Sequence, residues 1–202
     1  MTKADLDVSR ETIEKLETYV ELLKKWNPRI NLVSKSTIDA VWQRHIQDSA
    51  QIFDLAPVDF QHWVDLGSGG GFPGLVCAIL SQGRNPQALF TLVESDARKS
   101  VFLRTVIREI GLNAQVITDR IEQTLPLNAD VLSARALADL SVLLEFSQRH
   151  MQESGIALFP KGVNWKNEVQ TAEASWFFEW EQTKSKTEPG AVILRIGGIS
   201  RV

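Results

Sequence analysis

The sequence has very little cysteine and no long apolar run, and each of these features excludes some classes of protein. Cys77 is the single cysteine among 202 residues, which excludes an intramolecular disulfide and a cysteine-based zinc cluster. The longest uninterrupted apolar stretch, residues 75–80, is far shorter than the ~20 residues that span a bilayer. Residues 1–7 contain no apolar segment behind a basic one, so no secretion signal is predicted. We therefore expect a cytoplasmic protein with no membrane partner.

The chain also lacks a strong charge of either sign. It has 22 Lys and Arg residues against 25 Asp and Glu residues, which gives a formal net charge of −3. Proteins that bind bare nucleic acid by bulk attraction are usually strongly basic, because neutralised phosphates supply most of the non-specific affinity. Any RNA partner of this chain is therefore expected to be bound by a local patch or by shape.

The first 60 residues have a helical pattern. Apolar residues at spacings of three and four predict a helix that begins after an N-cap at Ser9. This helix is predicted to stop at Asn27-Pro28, since Pro28 disfavours the α conformation of the residue before it. A second helix is predicted over residues 37–53. Residues 1–60 are accordingly interpreted as an N-terminal helical extension.

From residue 61 onward, short β-like runs alternate with helical runs, which predicts an α/β fold with a parallel sheet covered on both faces. The predicted strands are 63–66, 89–93, 114–118, 131–134 and 156–159, and the predicted helices are 73–80, 97–110, 140–150 and 163–178. Two further strands, 180–184 and 191–196, are separated only by a short turn and are predicted to pair antiparallel. Residues 61–202 are thus interpreted as one compact unit with a mostly parallel sheet and an antiparallel last strand.

A glycine-rich turn follows the first predicted strand. It has the sequence Val64-Asp65-Leu66-Gly67-Ser68-Gly69-Gly70-Gly71-Phe72-Pro73-Gly74. Glycine permits positive φ and lets a ligand lie on the backbone, and free N–H groups at the start of the next helix favour a polar or anionic group. Because such a turn lies at the carboxyl edge of the sheet, where α/β folds bind cofactors, Asp65, Gly67, Gly69 and Gly71 are predicted cofactor-binding residues.

Two cofactor classes fit the glycine spacing. The pattern Gly-x-Gly-x-x-Gly over residues 69–74 satisfies the dinucleotide fingerprint literally, although the glycines of that motif normally start at the strand end. When the pattern is counted from Gly67, the third glycine is replaced by Phe72. Asp65 precedes the first glycine by two residues and suits a ligand that carries positive charge. The resulting Asp-x-Gly-x-Gly pattern resembles motif I of the class I S-adenosylmethionine methyltransferases.

Predicted cofactor residues also lie at or beyond the ends of two later strands. Glu94 ends the second predicted strand, where a carboxylate can accept two hydrogen bonds from a ribose diol; the alternative is a helix cap. Ile121 and Glu122 follow the third predicted strand, where folds of this class contact an adenine ring; the alternative is a solvated turn.

Together these motifs resemble one family, the bacterial ribosomal RNA small-subunit methyltransferase G family, also called glucose-inhibited division protein B. The resemblance extends over nearly the whole chain, and the His-Ile-x-Asp-Ser element upstream of the glycine turn is its most specific part. Its motifs, in chain order, are Lys25-Trp26-Asn27, Asn31-Leu32-Val33-Ser34, Arg44-His45-Ile46-x-Asp48-Ser49, Asp65-x-Gly67-x-Gly69-x-Gly71-Phe72-Pro73-Gly74, Ser133-x-Arg135-Ala136 and Lys161-Gly162.

The resemblance implies a class I, Rossmann-like fold and S-adenosylmethionine-dependent methylation of N7 of a guanine in 16S rRNA, in a loop near the decoding site. It implies that the cofactor lies against Gly67, Phe72, Ile121, Glu122 and Arg135. The weak overall charge suggests a small-subunit ribonucleoprotein particle as the substrate in preference to bare 16S rRNA. The enzyme is expected to act as a monomer.

Polar residues outside the glycine turn are predicted to contact the substrate. Arg135 follows the fourth strand and is predicted to bind the methionine carboxylate or an RNA phosphate. Lys161 follows the fifth strand and is predicted to contact a phosphate or a base near the acceptor. His45 and Asp48 lie three residues apart on one helix face. They are predicted either to contact RNA or to bond to each other and fix the helix.

The predicted chemistry needs no acid or base. Guanine N7 carries a free lone pair and loses no proton on methylation, so no residue is assigned as a general acid or base and no metal site is predicted. Catalysis is expected to consist mostly of aligning the nucleophile, the methyl group and the leaving sulfur. Cys77, in the helix after the glycine turn, is interpreted as a buried packing residue.

Two rival functions remain open from the sequence. An NAD(P)-dependent oxidoreductase would use the same glycine turn, although the single tyrosine, Tyr19, lies outside the sheet region and forms no Tyr-x-x-x-Lys pair. A non-catalytic, ribosome-associated module that binds the cofactor would share the fold, because binding and catalytic residues overlap when alignment is the mechanism.

Overall fold

The first helix has the predicted start. A computed structural model describes residues 6–202, and in it α1 (Arg10–Ile30) begins after Ser9, whose Oγ accepts a hydrogen bond from the Thr12 backbone N–H. This is the N-cap arrangement that satisfies a free amide of the first turn. No helix within residues 6–202 is long and apolar enough to cross a membrane.

The predicted end of α1 is wrong. Pro28 lies inside the helix, which continues to Ile30 and ends at Asn31 with a φ of 50°. The Asn31 N–H donates to the Asn27 carbonyl oxygen and closes the last turn. Proline removes its own backbone donor, but here the helix continues past Pro28 and keeps the bond that closes its last turn.

The second predicted helix is only partly correct. Residues 37–40 form turns, and helix starts with a π-helical segment, Trp42–Gln47, which continues into α2 (Asp48–Phe53). A π-helical turn is wider than an α-helical turn and changes which side chains share a face. Periodicity counted at 3.6 residues per turn cannot detect this change.

The rest of the chain alternates strands and helices, as predicted. The strands are β1 (His62–Leu66), β2 (Leu89–Val93), β3 (Ala114–Ile117), β4 (Ala129–Ala134), β5 (Met151–Lys161), β6 (Trp176–Lys184) and β7 (Val192–Arg201). The helices between them are α3 (Gly74–Arg84), α4 (Ala97–Ile110), α5 (Leu140–His150) and α6 (Trp165–Glu173).

These strands form one sheet in the order β3-β2-β1-β4-β5-β7-β6. Strands β1 to β5 pair in parallel, and β7 is antiparallel to both β5 and β6. The predicted α/β class, with a mostly parallel sheet and an antiparallel last strand, is confirmed.

The helix predicted over residues 163–178 is too long. Helix α6 ends at Glu173, and Trp176 already begins β6. Along β6, Trp176 and Phe178 are buried whereas Phe177 is 63% exposed. This alternation follows the two-residue period of a strand, which the aromatic run concealed in the sequence.

Alternating side chains of the sheet pack into two apolar layers, one on each face. Trp63 packs in the layer that includes residues of α1 to α4, whereas the neighbouring Val64 packs in the layer of α5 and α6. Leu16 and Leu23 of α1 belong to the first layer together with Cys77, which is fully buried as predicted. Residues 6–60 therefore form helices and turns and contribute no strand, but they pack in the same apolar core as one face of the sheet.

The Tyr19 side chain links α1 to the glycine turn. Its side chain is fully buried, and its hydroxyl donates to the Gly70 carbonyl oxygen. Its ring lies 5.2 Å from the Phe72 ring and 6.4 Å from the Phe102 ring of α4, measured between centroids. The N-terminal helix thus supports the turn directly.

Tyr19→Phe is expected to lower the free energy of unfolding by about 1–3 kcal/mol, because the buried Gly70 carbonyl would lose its partner. Chemical denaturation provides the measurement. Thr18→Val is the matched control, since the exposed Thr18 hydroxyl also donates to a backbone carbonyl, that of Glu14. The control is expected to change stability by no more than about 0.5 kcal/mol. Equal effects of the two substitutions would contradict the support assigned to Tyr19.

Candidate functional site

The glycine turn between β1 and α3 lies at the carboxyl edge of the sheet, where the strand order reverses between β1 and β4. Gly67, Gly69 and Gly71 have φ values of 65°, 55° and 93°, which side chains rarely adopt. A Cβ at Gly69 would meet nothing closer than the Gly67 oxygen, 3.8 Å away. A Cβ at Gly71 would lie 2.7 Å from the Tyr19 hydroxyl oxygen. Gly69 therefore faces open space, whereas Gly71 permits close packing.

The N–H groups expected to be free at the start of α3 are partly engaged, because those of Leu75 and Cys77 donate to the Gly71 and Pro73 carbonyl oxygens. The Gly67 and Ser68 N–H groups both donate to the Val93 carbonyl oxygen, and the Gly71 N–H donates to that of Ser68. The Gly69 N–H donates to Glu94 Oε2 at 2.8 Å. The turn thus offers a ligand its open glycine surface and flanking side chains rather than a row of free amides.

A cavity of about 400 Å³ opens beside the carboxyl ends of β1 and β2; we call it the β2-side cavity. Its lining includes five predicted cofactor residues, namely Gly67, Gly69, Glu94, Ile121 and Glu122. The Glu94 Oε1 atom accepts from the Asp96 N–H at 2.8 Å. Each carboxylate oxygen can accept two hydrogen bonds, so Glu94 retains capacity for a ligand hydroxyl.

A second cavity, of about 560 Å³, lies on the other side of the turn and is called the β5-side cavity. Its lining includes five further predicted contacts, namely His45, Asp48, Phe72, Arg135 and Lys161. Gly67 and Gly69 line both cavities. The structure therefore brings these residues to two spaces that meet at the glycine turn.

Asp65 and Gly71 are not among the residues that line either cavity. Asp65 is 1% exposed beneath the turn, and its Oδ1 accepts from Ser133 Oγ at 2.6 Å. Its Oδ2 has no hydrogen-bond partner among residues 6–202 and lies 2.7 Å from the position of a Cβ added at Gly74. Burial raises the pKa of the Asp65 carboxyl to about 6, against the opposing effect of hydrogen bonds and of the Arg135 charge. Direct contact of Asp65 or Gly71 with a cofactor stays a prediction.

Arg135, just past β4, connects the sheet to the N-terminal segment. Its Nη2 lies 3.0 Å from His45 Nδ1, and its Nη1 lies 3.4 Å from Asp48 Oδ2. Its Cζ lies 5.2 Å from the centroid of the Phe72 ring. Both His45 and Asp48 thus contact Arg135, and their side chains are linked through this arginine, whereas the direct bond between the two residues is a backbone one, from the Asp48 N–H to the His45 carbonyl oxygen.

Asp48 also forms a hydrogen bond with the turn between β6 and β7, and this turn lines the β5-side cavity. Its Oδ1 accepts from Thr187 Oγ1 at 2.7 Å and from Gln51 Nε2 at 2.9 Å. In the same region Arg44 pairs with Glu188 at 3.1 Å. The wall of the cavity is therefore built from the first and the last parts of the chain.

Lys161 lies at the end of β5 and is 8% exposed. Its Nζ donates to Glu168 Oε2 at 2.7 Å and to the Ala138 carbonyl oxygen at 2.9 Å. The same Glu168 oxygen accepts from the Leu140 N–H at the start of α5. An ammonium group has three donors, so Lys161 can still donate to a ligand in the β5-side cavity.

Two residues that the sequence does not point to hold the Ile121–Glu122 turn. His150 Nε2 donates to the Ile121 carbonyl oxygen at 3.0 Å, and Arg149 Nη2 donates to that of Thr124 at 2.9 Å. Burial lowers the pKa of His150 and favours its neutral form. Both residues end a correctly predicted helix, but no local pattern relates them to a turn more than twenty residues away.

Comparisons with known proteins show which family this chain resembles. The GidB family, described as rRNA small subunit methyltransferase G, matches residues 12–192. The protein named ribosomal RNA small subunit methyltransferase G from Ruegeria sp. (strain TM1040) is 56% identical over 198 residues, which cover 98% of this chain and 96% of the relative. A protein of the same name from Cereibacter sphaeroides is 49% identical over 199 residues, which cover 98% and 97%.

A solved structure supports the fold. A SAM-dependent methyltransferase from Aquifex aeolicus superimposes with a TM-score of 0.58 at 11% identity, over 91% of this chain and 98% of that chain. At this identity the likeness concerns the fold, and it agrees with the predicted class I methyltransferase architecture.

Proposed function

Because this chain belongs to the rRNA small subunit methyltransferase G family, we propose that it transfers a methyl group from S-adenosylmethionine to N7 of a guanine in 16S rRNA, near the decoding site. The observation that carries the proposal is the meeting of two cavities at Gly67 and Gly69. One cavity suits the cofactor nucleoside and the other suits the acceptor base, so the two ligands approach each other across the turn. The family relationship argues against an NAD(P)-dependent oxidoreductase.

The residues present fit the chemistry of S-adenosylmethionine. Glu94 offers acceptor oxygens to a ribose diol, and Ile121 offers an apolar surface to adenine. Gly69 leaves open the space that a side chain would fill. Arg135 offers donors for the methionine carboxylate. When bound, S-adenosylmethionine supplies an electrophilic methyl group on a positively charged sulfur.

The acceptor base needs position more than proton transfer. Guanine N7 has a free lone pair and no proton to lose, so none of these side chains has to act as a general base. Phe72, Arg135 and Lys161 line the β5-side cavity and can orient a base and its phosphate. Holding the reacting groups in line removes a large entropic part of the barrier.

The proposed partner is the 16S rRNA within a small-subunit particle in the cytoplasm, with the enzyme acting as a monomer. The charge of −3 supports this choice, because a chain without excess positive charge gains little from bare phosphates and depends on shape and local contacts. Equal turnover on deproteinised 16S rRNA and on subunits would contradict the preference for the particle.

Methyl transfer to subunits that lack the modification tests the proposal. We expect tritium from methyl-labelled S-adenosylmethionine to enter the 16S rRNA at one guanine, where chemical cleavage specific for N7-methylguanine then breaks the strand. Label on another atom, or no label while S-adenosylhomocysteine binds, would refute the assignment; in the second case the protein would be a non-catalytic module. Calorimetry with NADH and with S-adenosylhomocysteine distinguishes a methyltransferase from an oxidoreductase, because the oxidoreductase would bind only NADH.

The position of Asp65 predicts a pH dependence of cofactor affinity. A positively charged ligand above the turn favours the ionised carboxylate, whose pKa is raised to about 6, so affinity should increase as the pH rises from 5 to 7. S-adenosylhomocysteine lacks the sulfonium charge and should show a smaller increase. Calorimetry at several pH values measures both ligands, with Asp65→Asn as the control that should remove the difference between them. Parallel pH profiles for the two ligands would show that Asp65 does not sense the cofactor charge.

A further inference from the structure

The guanidinium of Arg135 is surrounded by groups that lie about ninety residues earlier in the chain. Nη2 lies 3.0 Å from His45 Nδ1, while Nη1 lies 3.4 Å from both Asp48 Oδ2 and the Arg44 carbonyl oxygen. The Phe72 ring lies against its face. A guanidinium has five N–H donors, so these three contacts leave donors for a ligand in the β5-side cavity.

The proton position on His45 follows from its partners. A guanidinium can only donate, so His45 Nδ1 accepts and the ring proton lies on Nε2. Nε2 donates to Thr37 Oγ1 at 2.9 Å, and the Thr37 hydroxyl in turn donates to the Ser34 carbonyl oxygen at 3.1 Å. The imidazole also stacks on the Phe72 ring, with centroids 4.8 Å apart. Both nitrogens and the ring plane are therefore fixed.

The surroundings of His45 favour its uncharged form. Burial is the largest cause, and together with the positive charges of Arg135 and Arg44 it lowers the pKa of the imidazole to about 4. Asp48 is the acidic group that contacts Arg135 from the same helical segment. At neutral pH His45 is thus an acceptor with no charge of its own to repel the guanidinium.

We infer that His45 is a positioning residue, which fixes the Arg135 guanidinium so that its remaining donors bind a pair of anionic oxygens in the β5-side cavity. The inference rests on the proposed function, and His45 touches no reacting atom in it. Such oxygens belong either to the carboxylate of the cofactor or to a phosphate of the RNA. Both sources present the same geometry to a guanidinium, and the experiment distinguishes them.

Two substitutions separate the hydrogen bond from the packing of the ring. His45→Phe keeps a ring on Phe72 and removes the acceptor, whereas His45→Asn supplies an amide oxygen near the position of Nδ1. His45→Phe is expected to weaken binding of the anionic ligand about tenfold or more, which is typical of a lost bond to a charged group. His45→Asn is expected to restore most of the affinity. Thermal unfolding of the full-length variants records whether the fold is retained.

Two ligands and the ribosomal subunit identify the source of the oxygens. If Arg135 binds the cofactor carboxylate, His45→Phe weakens S-adenosylhomocysteine but not 5′-methylthioadenosine, which has no carboxylate. If Arg135 binds an RNA phosphate, both nucleosides bind normally and the KM for small subunits rises about tenfold. Either result supports the positioning role.

A double-substitution cycle with Arg135→Met decides whether His45 acts through the arginine. We expect His45→Phe to have no further effect once Arg135 is replaced. Equal losses in both backgrounds, or no loss in any of the three assays, would overturn the inference. These results are distinct from a failure of the proposed function, because in that case the unaltered protein itself would neither bind S-adenosylhomocysteine nor methylate subunits.

Discussion

Gly69→Asp is expected to abolish binding of S-adenosylmethionine and S-adenosylhomocysteine while the protein stays folded. Gly69 lines both cavities, and a Cβ there meets no atom closer than 3.8 Å, so the new carboxylate would extend into the proposed ligand space. It would also lie near the carboxylate of Glu94, whose Oε2 already accepts the residue 69 N–H. Aspartate tolerates a φ of 55° better than most side chains, so the strain on the turn stays small.

Gly111→Asp is the matched control for this substitution. Gly111 ends α4 with a φ of 71°, a Cβ there meets nothing within 4 Å, and the residue lines neither cavity. The control introduces the same side chain with the same backbone strain and is expected to bind ligand normally. Calorimetry and thermal unfolding of both variants complete the comparison. Normal S-adenosylhomocysteine binding by Gly69→Asp would show that the ligand lies elsewhere.

Lys161→Ala is expected to lower kcat/KM for methyl transfer about 10- to 100-fold, with little change in the Kd for S-adenosylhomocysteine. Lys161 lines the β5-side cavity and not the β2-side cavity, so its loss should affect the acceptor more than the nucleoside. Its ammonium is fixed by Glu168 and by the Ala138 carbonyl, which leaves one donor for a phosphate or a base. A large loss of cofactor affinity would instead assign Lys161 to the cofactor.

The ion pair of Lys161 with Glu168 requires a further control. Removing one partner of a buried pair leaves the other charge uncompensated, and this alone can disturb the site. In the double variant Lys161→Ala/Glu168→Ala the uncompensated carboxylate is absent. If Lys161 serves only to neutralise Glu168, methyl transfer should recover in the double variant. We expect it to stay low, because the contact with substrate remains absent.

Local patterns predict the sheet well where side chains follow a simple period. The strand Leu89–Val93 and the helices Ala97–Ile110 and Leu140–His150 occur where the sequence places them. The same reasoning fails where a local rule competes with packing. Pro28 does not end α1, because the buried face of the helix and the bond from the Asn31 N–H to the Asn27 carbonyl oxygen offset the donor that proline removes. Residues 176–178 belong to the edge strand β6, although they extend the preceding helical pattern in the sequence, whereas the predicted strand 180–184 is part of β6.

The residues of the candidate site also differ in whether neighbouring sequence or the whole fold determines their contacts. The glycine turn and Glu94 can be predicted as candidates from sequence, because each is recognised from its position at the end of a strand. The contact of Arg135 with His45 joins two elements whose approach depends on the whole fold, so spacing along one helix suggests a His45–Asp48 pair instead. The burial of Asp65 is likewise set by α3 lying above it, which a motif cannot convey.

Because of the hydrogen bond between Tyr19 and Gly70, the candidate ligand site depends on α1, which lies in an N-terminal segment without a sheet strand. A fragment cut out at residue 61 would keep all seven strands and lose the hydroxyl that closes the turn, together with the apolar cover that Leu16 and Leu23 provide. We therefore expect no minimal catalytic core to be obtainable by N-terminal truncation. Shortened forms should lose small-molecule affinity as well as RNA recognition, and the two losses should appear at the same truncation point.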